Sequence, residues 1–324
     1  MERKNILLLS QIIICFSLIF FIRQNLLLFY LRFELSLVPI LILVCGFGNQ
    51  LERIEGGFII FIFTFLGTLP FLYCLLFVDL CLIEWKTNEN REVFSILFLI
   101  CFFIKTPIWG FHQWLTKTHV ESPTSGSVLL TALLIKLGSF GTIRFSMLIV
   151  SFYFWILCLC ILGSVLGCLT AILCVDSKKL ISYSRISHIN ISLIFLLLDQ
   201  TYSKIALSII ILTHSVSSCL IFCFLATIYH ETIRRLILFY SQKTNISLKE
   251  NNFFKFNLLN NIATPGFISF FPELINSSLF FSSSLFSFIF FVFYILSVCY
   301  LSIFLYLINN IKISNTSIFR SFFF

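Results

Sequence analysis

Apolar residues along this chain fall into long runs separated by short polar connections. A helix crosses the hydrocarbon layer of a membrane in about 20 apolar residues, and ten runs approach or exceed that length: 5–22, 25–46, 57–83, 93–115, 121–144, 146–175, 180–198, 204–229, 256–284 and 286–309. The runs are continuous and lack the ten-residue alternation of a transmembrane barrel. The pattern therefore predicts an all-α integral membrane fold of about ten transmembrane helices. The one long polar connection, 230–255, leaves no room for a soluble catalytic domain. Whatever this chain does, it does inside the membrane.

Composition agrees. Apolar types make up 59% and charged types 11% of the 324 residues, and mean hydropathy is +1.03, whereas a soluble surface needs roughly 25% charged residues. A soluble enzyme, a nucleic-acid binder and a disordered chain are excluded. With the spans alternating, thirteen of the 22 Lys and Arg residues fall in connections on one side, five on the other and four (Arg32, Lys105, Lys136 and Arg185) within spans. The net charge of +8 then reflects basic loops on the inner side, where the N-terminus belongs. Met1-Glu2-Arg3-Lys4 leads into a long apolar run without a small-residue cleavage site, so it opens the first spanning helix. The twelve cysteines lie largely in apolar runs, as small hydrophobes. None has the CxxC spacing of a cluster or zinc site, so no metal and no chain-borne iron–sulfur cluster is expected.

Charges inside spans are costly and are functional candidates by default. Glu34, Lys105, Lys136 and Glu273 stand out, joined by His188 and by His214, which has Ser215, Ser217 and Ser218 beside it as a polar seam able to hold water. Any one of them could be a helix-end residue snorkelling to the headgroups. Four charges on four different segments point instead to a relay, because neighbouring opposite charges hold each other ionised and a proton arriving nearby changes the whole row. Arg32 lies two positions from Glu34, about 200° round the helix, and cannot share its face. Two helices should break beside these charges, at Lys105-Thr106-Pro107 and at Thr264-Pro265-Gly266 with Pro272-Glu273. Non-helical backbone at membrane depth is tolerated where protein or a water-filled cavity surrounds it, as at the midplane ion sites of transporters.

The segment KTPIWGFHQWLTKTHVESPTSGS, from Lys105 to Ser127, running on through LLTALLIKLGSFGTIRF, closely resembles chain 4 of NADH:ubiquinone oxidoreductase, the antiporter-like family of respiratory complex I. The family wording is a lysine before a proline, then HxWLPxAHxEAPxxGS, then LLKxGxYGxxR. FELSLVPILILVCGFGNQLERIEGG, DSKKLISYSRISHIN, LTHSVSSCLIF and IATPGFISFFPEL are similar to the family's FEATLIP…WGNQxER, TDLKKxIAYSSVSHM, AHGLxSSxLF and PPxxNLxGEL. The likeness covers roughly residues 25–280. The sister chains 2 and 5 share the fold, but the HVExP…LLIKLG wording and Glu273 resemble chain 4.

This resemblance implies an antiporter-like bundle with two broken helices: a first spanning helix and hairpin at 1–24, one antiporter-like half at 25–175, a second at 176–310 and a polar tail at 311–324. It implies a proton relay in which Glu34 is the acid of the first half-channel and Lys105 its lysine on a broken helix. Lys136 joins the halves, His188 and His214 lead to the second half, and Glu273 is the exit acid on the second broken helix. It implies a subunit of proton-translocating NADH:ubiquinone reductase with no redox centre of its own, FMN, iron–sulfur clusters and ubiquinone residing in partner subunits. The expected partners are other membrane-arm subunits, including antiporter-like chains 2 and 5, and membrane lipid, but no nucleic acid. The expected location is the mitochondrial inner membrane, with which the phenylalanine richness (43 residues, as from AT-biased organelle coding) is consistent. Family members have fourteen helices, so accessory subunits would cover the place of absent N-terminal ones. The family's WLP reads Trp114-Leu115-Thr116 here, and its KAH reads Lys117-Thr118-His119. The rival readings are a subunit of a multi-chain sodium/proton antiporter and a structural scaffold that has lost transport.

If buried lysines carry the relay, Lys105→Met sharply reduces NADH-driven proton translocation, whereas Lys86→Met in a connection is nearly silent. Proton uptake by energised membranes measures both.

Overall fold

In hydrocarbon every backbone N–H and C=O must be satisfied within the protein, and apolar runs of this length meet that demand as helices. The computed structural model describes residues 2–22, 26–48, 52–77, 99–145, 153–198, 202–232, 246–280, 284–309 and 313–314. Lys86 and most of the polar connection before the last broken helix lie outside the described residues.

The chain begins with α1 (Glu2–Ile22), α2 (Leu26–Leu35), α3 (Leu37–Phe47) and α4 (Arg53–Phe77). Helix α5 occupies 99–105 and is broken from α6 (Gln113–Glu121). Next, α7 (Thr124–Leu129), a π-helical stretch (Leu130–Leu134) and α8 (Ile135–Arg144) form one continuous rod. Three long helices follow: α9 (Tyr153–Leu173), α10 (Ser177–Leu198) and α11 (Tyr202–Thr232). The second broken helix is α12 (Leu248–Asn261) and α13 (Phe270–Phe280), followed by α14 (Ser284–Asn309). A two-residue parallel bridge joins β1 (Ile246–Ser247) to β2 (Ile313–Ser314).

Among the described residues six segments are long and apolar enough to cross a membrane. The surface is apolar, unlike that of a soluble protein, and several polar groups are buried beside the apolar core. Leu173, Leu76, Trp155 and Phe154 are exposed, while Lys105, His119 and Asn190 are buried. Phe20, Phe29, Phe33, Phe71 and Phe102 pack as one buried cluster, with Phe20 and Phe29 centroids 4.3 Å apart. Helices α9 and α10 approach closely through glycine: a Cβ on Gly163 would lie 2.7 Å from Asn190 Cγ.

Both expected breaks are present. Pro107 has no N–H to give to the carbonyl of Phe103, and Ile108 N donates to it instead at 3.2 Å. The chain then turns at Gly110 (φ 101°). The second break turns at Gly266 (φ 99°) and holds Ala263 at φ 55°, a conformation costing a side-chain-bearing residue roughly 1–2 kcal/mol. Pro272, expected to share in this break, lies instead within the first turn of α13, where a proline costs no internal hydrogen bond.

Other details depart from the apolar pattern. The run 25–46 is interrupted at Ser36, three residues before Pro39. The last broken helix starts at Leu248, inside the polar connection expected over 230–255. Its Asn251 and Asn257 are buried beside Phe254 and Leu258, so its inward face mixes polar and apolar residues and hydropathy misses its start. Lys178, counted above as a loop cation, is buried on α10 and donates to the carbonyl of Ser122 at 2.9 Å.

At Gly138 the α8 backbone meets the first break: an added Cβ would lie 2.9 Å from Lys105 Cβ and 3.0 Å from the Lys105 backbone carbon. Gly138→Ala therefore forces α8 off the break, an overpacking cost of about 1–3 kcal/mol, read as a lowered unfolding temperature of the detergent-solubilised protein.

Candidate functional site

Lys105 ends α5 at the break and is fully buried. Its ammonium donates to the carbonyl of Phe33 at 2.9 Å and lies 3.0 Å from the Phe33 ring centroid, a cation–π contact. Ser36 Oγ donates to the same carbonyl at 2.8 Å. The interruption between α2 and α3 thus presents an acceptor to the lysine. Glu34, next along α2, is half-buried and within Coulombic reach of Lys105, and its Oε1 has no hydrogen-bond partner. Arg32 points elsewhere, donating to the carbonyl of Ile19 at 3.0 Å. The break is braced by Trp114, whose indole N–H donates to the carbonyl of Ile104 at 2.9 Å, and by Thr106 Oγ1, which donates to Phe102 at 2.8 Å.

Lys136 follows the π-helical turn, a distortion common at functional sites. Gly138 faces Lys105, and two residues turn a helix through about 200°, so Lys136 projects from the other side of α8. It helps to line a cavity of about 660 Å³ whose walls include Leu133, Phe140, Leu212, Ser215 and Val216. These walls are mainly apolar and do not include His214. The hydroxyls of Ser215, Ser217 and Ser218 donate to carbonyls three residues back on α11. The seam expected beside His214 is therefore satisfied within its own helix.

Arg185, one of the four cations within spans, lies inward of Lys136. It is buried and within Coulombic reach of Lys136, its guanidinium stands over Phe222 at 5.7 Å, and Nη2 donates to the His214 carbonyl at 3.4 Å. It precedes His188 by three residues and so shares that helix face. The quoted family wording has serine at this place.

His188, His214 and Glu273 come together from α10, α11 and α13. The two imidazole centroids are 5.0 Å apart, and His188 Nδ1 is 3.6 Å from Glu273 Oε1. His188 Nε2 is 3.1 Å from the Tyr300 hydroxyl, and His214 Nδ1 is 3.2 Å from Asn261 Oδ1. Three of the six candidates thus form one buried cluster, Glu34 and Lys105 form another, and α8 with Lys136 stands between them.

Two further buried titratable groups lie in the Lys105–Ser127 segment. His119 is fully buried, stacks on Phe222 at 5.1 Å, and neither ring nitrogen has a partner. Glu121 is buried against Gly56, where a Cβ would overlap its carboxylate. Their burial depends on tertiary packing around α6, which spacing along the chain does not reveal.

The chain belongs to the family described as NADH:quinone oxidoreductase/Mrp antiporter, transmembrane, which matches residues 23–299. It is 33% identical over 277 residues to NADH-ubiquinone oxidoreductase chain 4 of Rhipicephalus sanguineus, covering 83% of this chain and 62% of that protein. It is 35% identical over 255 residues to the chain 4 of Caenorhabditis elegans, covering 78% and 62%. The chain thus spans less than two thirds of the length of these curated relatives. Its fold is that of a chain in respiratory complex I from Thermus thermophilus, with a TM-score of 0.85 at 23% identity, covering 94% of this chain and 68% of that one. A chain of the Mrp complex from Dietzia sp. DQ12-45-1b has a TM-score of 0.77 at 16% identity, covering 88% and 34%.

Removing the indole donor in Trp114→Phe strands the buried Ile104 carbonyl beside Lys105, costing about 1–3 kcal/mol. The expected result is lower thermal stability of the detergent-solubilised protein together with impaired transport; an unchanged melting curve would show that the brace is dispensable.

Proposed function

We propose that this chain is a proton-translocating subunit of the membrane arm of respiratory complex I, of the chain 4 type, in the mitochondrial inner membrane with the N-terminus on the inner side. It acts within an NADH:ubiquinone reductase whose FMN, iron–sulfur clusters and quinone site lie in partner subunits, among them antiporter-like chains 2 and 5. Accessory subunits and lipid cover its outer faces. The two halves, 25–175 and 176–310, carry one broken helix each. Its similarity to chain 4 proteins of other organisms supports the assignment. The observation that carries it is the pairing of two buried titratable clusters at two helix breaks, Glu34 with Lys105 and His188 with His214 and Glu273.

Protons in this reading pass between fixed side chains. Glu34 receives a proton beside Lys105. The charge of Lys105 responds to that of Glu34, because opposite charges in a low dielectric stabilise one another. Lys136 and Arg185 carry the electrostatic effect across α8 to His214, and the imidazole pair passes a proton to Glu273. Electron transfer in partner subunits enters as a change of charge at the edge of this row, a coupling free energy between distant sites.

Glu34→Gln tests the reading. Assembly on a native gel is retained and NADH-driven proton translocation falls below half, because an amide keeps the shape and loses the exchangeable charge. Normal pumping by the assembled variant overturns the role of Glu34. Co-migration of the chain with a flavin-containing, NADH-oxidising assembly separates this function from the sodium/proton antiporter, which has no such partner.

A further inference from the structure

We propose that His188, His214 and Glu273 form a binding site for a divalent transition-metal cation of the zinc type. Two imidazoles and one carboxylate are a zinc donor set, and here the ligand atoms of all three lie within 4.8 Å of one another. Zinc bonds of about 2.0–2.1 Å in a tetrahedral arrangement place adjacent donors roughly 3.3–3.4 Å apart. His188 Nδ1 and Glu273 Oε1, at 3.6 Å, are nearly there already.

The surroundings of the two rings also suit a metal. A ligating histidine typically has its other nitrogen held by a second group, which fixes the tautomer and aims the lone pair. His188 is held at Nε2 by Tyr300, while its buried Nδ1 has no hydrogen-bond partner. His214 is held at Nδ1 by Asn261, which leaves Nε2 to ligate. Both rings are therefore oriented by polar partners on other helices. Glu273 is 12% exposed and His188 2%, so the carboxylate is the less enclosed of these two ligands. Lys136 and Arg185, within Coulombic reach of His214, oppose a divalent charge and make binding reversible. Spacing along the chain conceals the site, because its ligands come from three helices and no two share a turn.

The site stands on this geometry alone. Its consequence, that bound zinc arrests proton transfer by occupying the lone pairs the relay uses, rests on the function proposed above. The test uses the purified assembly containing this chain, equilibrated with zinc chloride. One zinc per chain is expected that His214→Gln and Glu273→Gln lose, and Asn261→Ala weakens its binding about 10–100-fold. X-ray absorption should show nitrogen and oxygen at about 2.0–2.1 Å. Zinc binding unchanged in all three variants, or a sulfur shell at about 2.3 Å from the cysteines, overturns the site. Where a ligand variant fails to assemble, electron cryomicroscopy of the zinc-treated wild-type assembly decides: density between the three side chains supports the site and its absence overturns it. Zinc bound there without loss of NADH-driven pumping supports the site while overturning the relay role of the histidines. Pumping lost in Glu273→Gln with no zinc bound to the wild type does the reverse.

Discussion

An ammonium group placed in hydrocarbon survives there only if something nearby replaces the water it has lost. The contacts of Lys105 meet that demand with three kinds of group: a backbone carbonyl, an aromatic face and, within electrostatic reach, a carboxylate. Much of the first half of the molecule is arranged around this. The interruption at Ser36 brings the Phe33 carbonyl to the lysine, Pro107 ends the helix that carries it, and Trp114 occupies the carbonyl of Ile104 beside the break. Gly138 then lets the next helix close over the result. The packing of these helices is as much a solvation shell for one cation as it is a hydrophobic core.

The second half meets the same demand differently. It sets weakly basic imidazoles beside one carboxylate and holds each ring by a polar neighbour, Tyr300 or Asn261. Between the two halves, Arg185 is a permanent cation, held by a carbonyl and an aromatic ring. Arginine effectively never gives up its proton in a protein. It can therefore influence the charge of Lys136 and His214 electrostatically without itself passing a proton on.

How far the sequence discloses this depends on whether a feature is local. Apolar runs and the prolines at 107 and 265 are local: six spans and both helix breaks are found among the described residues, and the six candidate titratable residues are local features of the same pattern. The start of α12 is not visible to hydropathy, because buried Asn251 and Asn257 count as polar whether they face lipid or protein. The π-helical turn before Lys136 has no local signature. Lys178, beside a helix start, reads as a loop cation until α6 is known to lie against it. Arg185 was seen within a span, but its link to His214 and Phe222 is a contact between helices. The grouping of the six candidates into two clusters, with Lys136 on α8 between them, is likewise a matter of contacts between helices.

The tether between Lys105 and Phe33 has a consequence for how charge moves. A neutral amine still carries N–H bonds, so the attachment to the carbonyl outlasts removal of the proton, while the attraction to the ring, which depends on full charge, does not. The lysine can alternate between two states without leaving its station, and what alternates is how firmly the aromatic floor holds it. A relay through Lys105 of the kind proposed would therefore need no swinging arm there.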